Sequence, residues 1–256
     1  MDEPLEQYWR KRFRRYAEKY EKESQISGWS DHGLSRRVTT FERVLDSTDL
    51  PSNALILDLG CGAGTYCRFL RKKGFRIIGL DYSLPILKRA QELQGNEKIQ
   101  LLNAESYNLP LSNQSVDAVV CIGVLQTLTD AKRAIQEINR ILKPGGICFL
   151  DGINALGLNE LATLFFTSSA KFLRSSNPFI LRRQLEQNGF VDVRIKGTYI
   201  FPSSFLYVED FLESKGVFEK MDTFLIPFIS LARAFILIGR KSRQNISNIM
   251  PTPFGE

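Results

Sequence analysis

Short apolar runs alternate with amphipathic segments between residues 54 and 150. The runs cover residues 54–59, 75–80, 99–102, 116–122 and 147–150. Apolar runs of this length without a polar alternation are typical of strands that are buried on both faces of a parallel sheet. The segments between them predict helices, so the pattern favours an α/β fold with helices on both faces of the sheet.

The first 50 residues carry a different pattern, which predicts helices outside this sheet. Apolar side chains recur at three- and four-residue steps over residues 5–23, from Leu5 and Trp9 to Tyr20, so they share one face of a helix. The basic run at residues 10–15 is expected on the other side. Residues 24–33 contain two glycines and lack a period, which predicts a loop, and a further helix is expected over residues 34–46.

Beyond residue 150 the alternation of apolar runs with amphipathic segments becomes less regular. Helices are predicted at residues 156–173 and 179–188, and strands at 190–196 and 233–239. The chain therefore divides into N-terminal helices that form a lid (residues 1–50), a sheet domain (51–240) and a tail (241–256), whose Ser, Asn and Pro content predicts disorder. An insertion at 198–232, rich in Phe and Leu, is expected to cap the sheet domain.

Composition limits the location and the partners of the protein. The formal net charge of +6 over 256 residues is modest for a nucleic-acid binder. The first 24 residues are polar, which argues against a secretory signal, and the most apolar run, at 224–238, is shorter than the ~20 residues that cross a bilayer. A peripheral membrane contact and the oligomeric state stay open.

The cysteine pattern argues against a metal site. The four cysteines form neither a CxxC pair nor a cluster with zinc spacing; they are Cys61, Cys67, Cys121 and Cys148. Unpaired thiols of this kind indicate a reducing compartment, so the cytoplasm is the expected location.

One predicted strand runs directly into a glycine-rich turn, where a ligand is expected. Gly60-Cys-Gly-Ala-Gly64 follows the first strand and precedes a helix. Glycines let the backbone approach a ligand closely at a helix N-terminus. The dinucleotide version of this turn needs its third glycine at position 65, which is Thr65 in this chain, so a nicotinamide dehydrogenase is disfavoured.

Two carboxylates flank this turn. Asp81 ends the second strand, 21 residues after Gly60, where it can accept hydrogen bonds from both hydroxyls of a ribose. Asp58 directly precedes the glycines, where it would repel a pyrophosphate but can accept hydrogen bonds from an amino group. Asp81 therefore predicts a ribose, and Asp58 favours a cofactor with an amino group over a dinucleotide.

Five segments of the chain, in order, resemble motifs of the class I S-adenosylmethionine-dependent methyltransferases. They lie at residues 58–64, 79–83, 109–120, 142–146 and 187–190. The branch looks like the small-molecule group that includes quinone and sterol methyltransferases. The resemblance implies a Rossmann-like, seven-stranded, mostly parallel sheet whose last strand is antiparallel, with S-adenosyl-L-methionine as the cofactor.

The resemblance also implies which residues hold the cofactor. The methionine end would be lined by the glycine turn and met by one carboxylate, at Gly60, Cys61, Gly62, Gly64 and Asp58. The ribose and adenine would be held by residues at the ends of the second and third strands, Asp81, Tyr82, Asn103, Ala104 and Glu105. The sulfonium would be bordered by the end of the fourth strand, at Ile122 and Gly123.

Methyl transfer mainly requires an oriented acceptor, and a general base is needed only if that acceptor must lose a proton. Relatives often carry a His pair where this chain has Gln126-Thr127, so no histidine base carries over there. The sole histidine is His32, in the loop predicted at 24–33. This loop and the preceding helix are predicted to cover the cofactor, with His32 and Tyr16 as candidates for proton handling.

The favoured activity is methyl transfer to a small or lipid-like molecule, because residues 156–232 are apolar enough to wall such a pocket. An RNA or other macromolecule methyltransferase and a non-catalytic cofactor-binding module stay open as alternatives. The fourth strand ends in Cys121-Ile-Gly-Val124 and not in the Asn-Pro-Pro-aromatic sequence of base methylases, so nucleic acid is not expected as a partner. Asp151 and Asn154 follow the fifth strand, where substrates often bind.

Overall fold

A single mixed sheet with flanking helices organises the chain. The computed structural model describes residues 5–95, 97, 99–157, 174–198, 232 and 234–243. The helices are α1 (Leu5–Lys19), α2 (Glu23–Ile26), α3 (Asp31–Asp46), α4 (Thr65–Lys72), α5 (Leu84–Leu93), α6 (Ala131–Ile141) and α7 (Pro178–Gln187). The strands are β1 (Leu55–Leu59), β2 (Arg76–Asp81), β3 (Gln100–Asn103), β4 (Val116–Cys121), β5 (Leu142–Asn154), β6 (Ser175–Ser176), β7 (Phe190–Thr198) and β8 (Ala234–Lys241).

The strand order is β3-β2-β1-β4-β5-β8-β7, and the two-residue β6 pairs with β5. Strands β1 to β5 pair in parallel, whereas β8 is antiparallel to both of its neighbours. The predicted mostly parallel sheet with an antiparallel last strand is therefore confirmed. Successive strands are added on opposite sides of β1, so a crevice opens at the carboxyl ends of β1 and β4, where open α/β sheets bind their ligands.

Side chains along β1 point alternately to the two faces of the sheet, and this decides which residue lies beneath the glycine turn. Leu57 packs with Ile135 of α6 in the core on one face, whereas Ile56 packs with Phe41 of α3 and Leu70 of α4 on the other. Because side chains alternate between the faces of a strand, Asp58 points to the same side as Ile56. A carboxylate therefore lies against α4, inside the core of that face.

The sequence predicts a loop at residues 24–33, and this prediction is wrong. Its first part contains the short helix α2, and its last three residues are the first turn of α3. The helix begins there because the Ser30 hydroxyl accepts a hydrogen bond from the Gly33 N–H at 3.0 Å, which satisfies one of the free N–H groups of the first turn. His32 consequently lies on a helix and not in a loop.

Other predictions differ from the structure only in their bounds, or cannot be compared with it. The motif at residues 142–146 lies in an irregular part of β5, where the pairing with β4 changes register. The predicted helix at 156–173 and the insertion at 198–232 fall almost wholly outside the described residues, and so does the tail beyond residue 243. Within the described part of the chain, every helix is too short or too polar to cross a membrane.

We expect the sheet to tolerate no side chain at Gly79, in the middle of β2. A Cβ atom there would lie 2.8 Å from the Cys67 Sγ and 2.9 Å from the Leu101 Cδ2. The Gly79→Ala variant should therefore lose roughly 1–3 kcal/mol of unfolding free energy through overpacking, measured by urea denaturation. Ser35→Ala, at an exposed position of α3, is the control and should keep the stability of the parent. Equal stability of the two variants would contradict this account of the β2 packing.

Candidate active site

A pocket opens at the carboxyl ends of β1, β2 and β4 and is covered by α1. Its cavity volume is about 160 Å³. The floor comes from the glycine turn and the strand ends. The opposite wall comes from side chains of the N-terminal helices, among them Trp9, Phe13 and Arg37.

The glycine turn presents bare backbone to this pocket. Gly60 has a φ of 73°, and a Cβ atom at this residue would collide with the Val124 side chain after β4. The N–H groups of Gly60 and Cys61 both donate to the Leu80 carbonyl, at 2.7 and 2.9 Å, which ties the turn to the end of β2. Gly60, Cys61 and Gly62 line the pocket as predicted, whereas Gly64 caps α4 and does not.

Asp81 connects the glycine turn to the turn that follows β2. Its Oδ2 accepts a hydrogen bond from the Gly62 N–H at 3.0 Å, and its Oδ1 accepts one from the Ser83 N–H at 2.9 Å. Burial raises the pKa of this carboxyl to about 6, although both hydrogen bonds favour the ionised form. Asp81 lines the pocket, so a buried carboxylate is available to a ligand above that pH.

Asp58 lies beneath the turn and not on the pocket surface. It is almost fully buried, and its Oδ2 accepts a hydrogen bond from the Cys67 thiol at 3.1 Å. Burial and, to a smaller extent, the nearby charge of Asp81 raise the pKa of Asp58 to about 7, although the hydrogen bond from Cys67 lowers it. A cation bound nearby would therefore favour the ionised form of Asp58. The glycine turn separates this carboxyl from the pocket, so a ligand would not contact it directly.

The expected adenine end of the pocket is occupied by an arginine from α1. The Arg10 guanidinium lies 4.5 Å from the centre of the Tyr82 ring and pairs with the Glu105 Oε2 at 2.7 Å. The Tyr82 hydroxyl is buried and has no hydrogen-bond partner among the described residues. Ala104 and Glu105 line the pocket, whereas Asn103 donates its amide to the Asp81 backbone carbonyl at 3.0 Å and does not line it.

Glu6 of α1 fastens this helix over the site. The Glu6 Oε1 accepts hydrogen bonds from the Thr129 N–H at 2.7 Å, from the Thr129 hydroxyl at 2.6 Å and from the Tyr107 hydroxyl. These residues belong to the loops after β3 and β4. The first helix is thus joined to two of the loops that surround the pocket.

The other end of the pocket is built around the predicted residues Ile122 and Gly123, which both line it. The Gly123 N–H donates to the Asp151 Oδ1 at 2.6 Å, and the Asp151 Oδ2 pairs with Arg37 of α3 at 2.8 Å. Asp151 lies within β5 and not after it. Asn154, the last residue of that strand, is buried, and its amide donates to the Ala232 carbonyl at 2.8 Å.

The two candidates for proton handling lie elsewhere. His32 is exposed in the first turn of α3, and Tyr16 packs edge-on against Tyr20. Neither lines the pocket. A role of His32 or Tyr16 in proton transfer therefore stays a prediction without support from their positions.

Sequence reasoning missed the polar residues that the N-terminal helices bring to the site. Glu6, Arg10 and Arg37 all line the pocket, yet no motif surrounds them. In the basic run at 10–15, Lys11, Arg14 and Arg15 are exposed, whereas Arg10 lies over Tyr82 and Arg12 lies over Trp9. No spacing rule within one helix indicates such contacts, because their partners come from other parts of the chain.

The described residues fit S-adenosylmethionine. Bare backbone at Gly62 leaves room for a chain that passes over the turn, since a Cβ atom there would meet only the Ile86 Cδ1, at 3.9 Å. The buried carboxylate of Asp81 can accept hydrogen bonds from a ribose, and the Tyr82 ring offers a flat apolar surface beside it. No cluster of His, Cys, Asp and Glu suited to a metal ion occurs in the described ranges.

Curated relatives of the chain are methyltransferases. The malonyl-[acyl-carrier protein] O-methyltransferase of Hamiltonella defensa is 31% identical over 120 residues, which are 47% of this chain and 46% of that protein. The demethylmenaquinone methyltransferase of Lactiplantibacillus plantarum is 33% identical over 136 residues, which are 50% of this chain and 55% of that protein. The chain thus spans about half the length of the curated relatives it matches.

Solved structures and a family of domain sequences also show a similarity of this chain to methyltransferases. A possible histamine N-methyltransferase from Thermotoga maritima shares the fold with a TM-score of 0.64 at 16% identity, over 91% of this chain and 99% of that one. Residues 57–150 match the family described as "Methyltransferase domain". The strand order, the glycine turn and Asp81 are likewise similar to those of the class I S-adenosylmethionine-dependent methyltransferases.

Proposed function

We propose that the protein transfers the methyl group of S-adenosylmethionine to a small or lipid-like acceptor that binds beneath α1. One observation carries the proposal: a single pocket joins the Asp81 carboxylate and the glycine turn to a wall of aromatic side chains that includes Trp9, Phe13 and Trp29. The curated relative named for demethylmenaquinone supports a lipid-like acceptor. A module that only bound the cofactor would not need the aromatic wall.

Each part of the pocket would have its own task. S-adenosylmethionine, when bound, supplies a methyl group on a good leaving group. Asp81 would accept hydrogen bonds from the ribose, the backbone of the glycine turn would border the amino-acid end, and Tyr82 would lie against the base. Helix α1, held by Glu6, would exclude water and orient the acceptor, which is the main requirement of an in-line displacement.

We further propose the cytoplasm as the location of the protein. Its four cysteines are all free and buried, as suits a reducing compartment. We also propose that the acceptor is not a nucleic acid. The modest net charge of +6 supports this, and within the basic run Arg10 and Arg12 contact the rings of Tyr82 and Trp9.

The first test is a titration with S-adenosylhomocysteine by calorimetry. We expect Asp81→Asn to bind it at least about tenfold more weakly than the parent, because hydrogen bonds to a charged acceptor are worth roughly 1.5–3 kcal/mol each. Glu92→Gln, on the exposed side of α5, is the matched control and should bind normally. A parent protein that does not bind, or an Asp81→Asn variant that binds equally well, would contradict the cofactor assignment.

The acceptor class can be tested by following the label from methyl-tritiated S-adenosylmethionine in a cell extract. We expect protein-dependent label in the fraction of small molecules and lipids, because the pocket is closed on one side by α1 and lined by aromatic rings. Label that appears instead in precipitated RNA or protein would overturn the small-molecule proposal.

The affinity for S-adenosylhomocysteine should depend on pH through Asp81. Because the pKa of Asp81 in the free protein is about 6, its ionised carboxylate predominates above pH 7 and is lost below pH 6. We expect a constant affinity above pH 7 and a decline of up to about tenfold per pH unit well below pH 6. The Asp81→Asn variant should lack the part of this decline that is centred on pH 6. A parent profile that is flat from pH 5 to 8 would refute the role of this carboxylate.

A further inference from the structure

The outer face of α1 carries a row of exposed cations that the function proposed above does not use. Lys11, Arg15 and Lys19 follow one another at four-residue steps, Arg14 lies beside them, and all four are exposed. Residues at such steps share one side of a helix, so these side chains form a strip, which we call the basic face. Glu18 is the exposed acid of the same helix, which leaves four cations against one acid.

The opposite face of α1 is used inside the protein. Trp9 and Ala17 are buried, and Phe13 packs against the cluster that contains Ala17 and Ile86 of α5. These positions of α1 also recur at four-residue steps, about half a helical turn away from the basic face. The basic face is therefore turned to solvent while the apolar face of the helix covers the pocket.

The two arginines at the centre of the basic face are available to a partner. Within the described part of the chain, Arg14 and Arg15 form no salt bridge and no cation–π contact. By contrast, Arg10 of the same helix pairs with Glu105. Exposed cations of this kind keep their attraction for an anionic surface, which only salt screens.

Exposed apolar side chains lie on the elements next to α1. Leu84, at the start of α5, is 53% exposed, and α5 is joined to α1 because the Arg89 Nε donates to the Ala17 carbonyl at 2.9 Å. Trp29 is 43% exposed and directly follows a glycine that lies against Arg12 of α1. Cations and apolar side chains are thus combined on one part of the surface.

This combination fits a lipid surface better than RNA. Cations on a helix attract anionic headgroups, while tryptophan and leucine can enter the boundary between the headgroups and the acyl chains. An RNA strand is held through its phosphates and by aromatic rings that stack on its bases, so it would leave Leu84 without a matching partner.

We infer that the basic face of α1, with Trp29 and Leu84 beside it, docks on an anionic lipid surface. The inference goes beyond the proposed function, since docking needs neither the cofactor nor an acceptor. Trp29 also lines the pocket, so docking would bring this wall of the pocket to the bilayer.

The experiment measures binding of the full chain to vesicles by flotation. The vesicles are made of phosphatidylcholine alone or with about one third phosphatidylglycerol, which supplies the negative charge. The parent is compared with the double variant Arg14→Gln/Arg15→Gln. The matched control is Arg182→Gln/Arg183→Gln, which removes two adjacent exposed arginines from α7. Circular dichroism and the affinity for S-adenosylhomocysteine verify that each variant is folded.

We expect the parent to bind the anionic vesicles at least about tenfold more tightly than the neutral ones. Arg14→Gln/Arg15→Gln should lose about tenfold or more of this affinity, because each cation near such a surface contributes roughly fivefold, and the control should match the parent. Salt at about 1 M, where the Debye length is about 3 Å, should release the protein.

The contact of Trp29 with lipid has its own readout. Brominated phosphatidylcholine in the anionic vesicles quenches the fluorescence of a tryptophan that reaches the acyl chains. We expect quenching in the parent, because Trp29 is exposed, and its loss in Trp29→Phe, which keeps only the buried Trp9.

Three results would overturn the inference. The parent binds neutral and anionic vesicles equally or not at all, or Arg14→Gln/Arg15→Gln binds as well as the control, or labelled oligouridylate binds more tightly than the vesicles and is lost in the same variant. The last result would assign the basic face to RNA. Failure of the parent to bind S-adenosylhomocysteine contradicts only the proposed function, because the vesicle assay is performed without nucleoside.

Discussion

The hydrogen bonds that Asp81 accepts from Gly62 and Ser83 join the two turns on which the site is built. Each turn follows a different strand, and the carboxylate fixes their separation. Burying a charge is costly unless hydrogen bonds compensate for the lost water. The pKa of about 6 indicates that two backbone donors do not fully compensate, so further donors such as ribose hydroxyls would stabilise the ionised form.

Charge is divided between the two halves of the site. The sheet supplies the buried acids Asp58, Asp81 and Asp151, whereas the N-terminal helices supply the cations Arg10 and Arg37. Packing the helices on the sheet therefore places Arg37 beside Asp151 in a region poor in water, where their attraction is stronger than at the surface. The site and the N-terminal helices stabilise each other for this reason.

Helix α1 links the loops that carry the ligand-facing residues. Glu6 holds the loops after β3 and β4, and Arg10 bridges Tyr82 and Glu105. A helix that contacts the loops after β2, β3 and β4 can respond to a ligand at any of them. Because Arg10 already lies over the Tyr82 ring, a base that stacks there would have to share or displace this contact.

The amino-acid sequence by itself determined the sheet. Runs such as 116–122 and 75–80 fall within one or two residues of β4 and β2, because strands buried on both faces must be apolar throughout. It also determined the residues that come from one continuous turn, Gly60 to Gly62, and the carboxylate of Asp81, since their chemistry depends on local backbone geometry.

Only the tertiary structure decided the rest of the site. It placed Asp58 beneath the turn, because alternation along β1 directs it into the core against Cys67. It also brought Arg37 to Asp151 across 114 residues of chain. No periodicity records such a contact, since it depends on how α3 packs against the sheet and not on the neighbours of either residue. Local pattern fixes elements and turns, whereas side chains from distant segments meet only when the helices have packed.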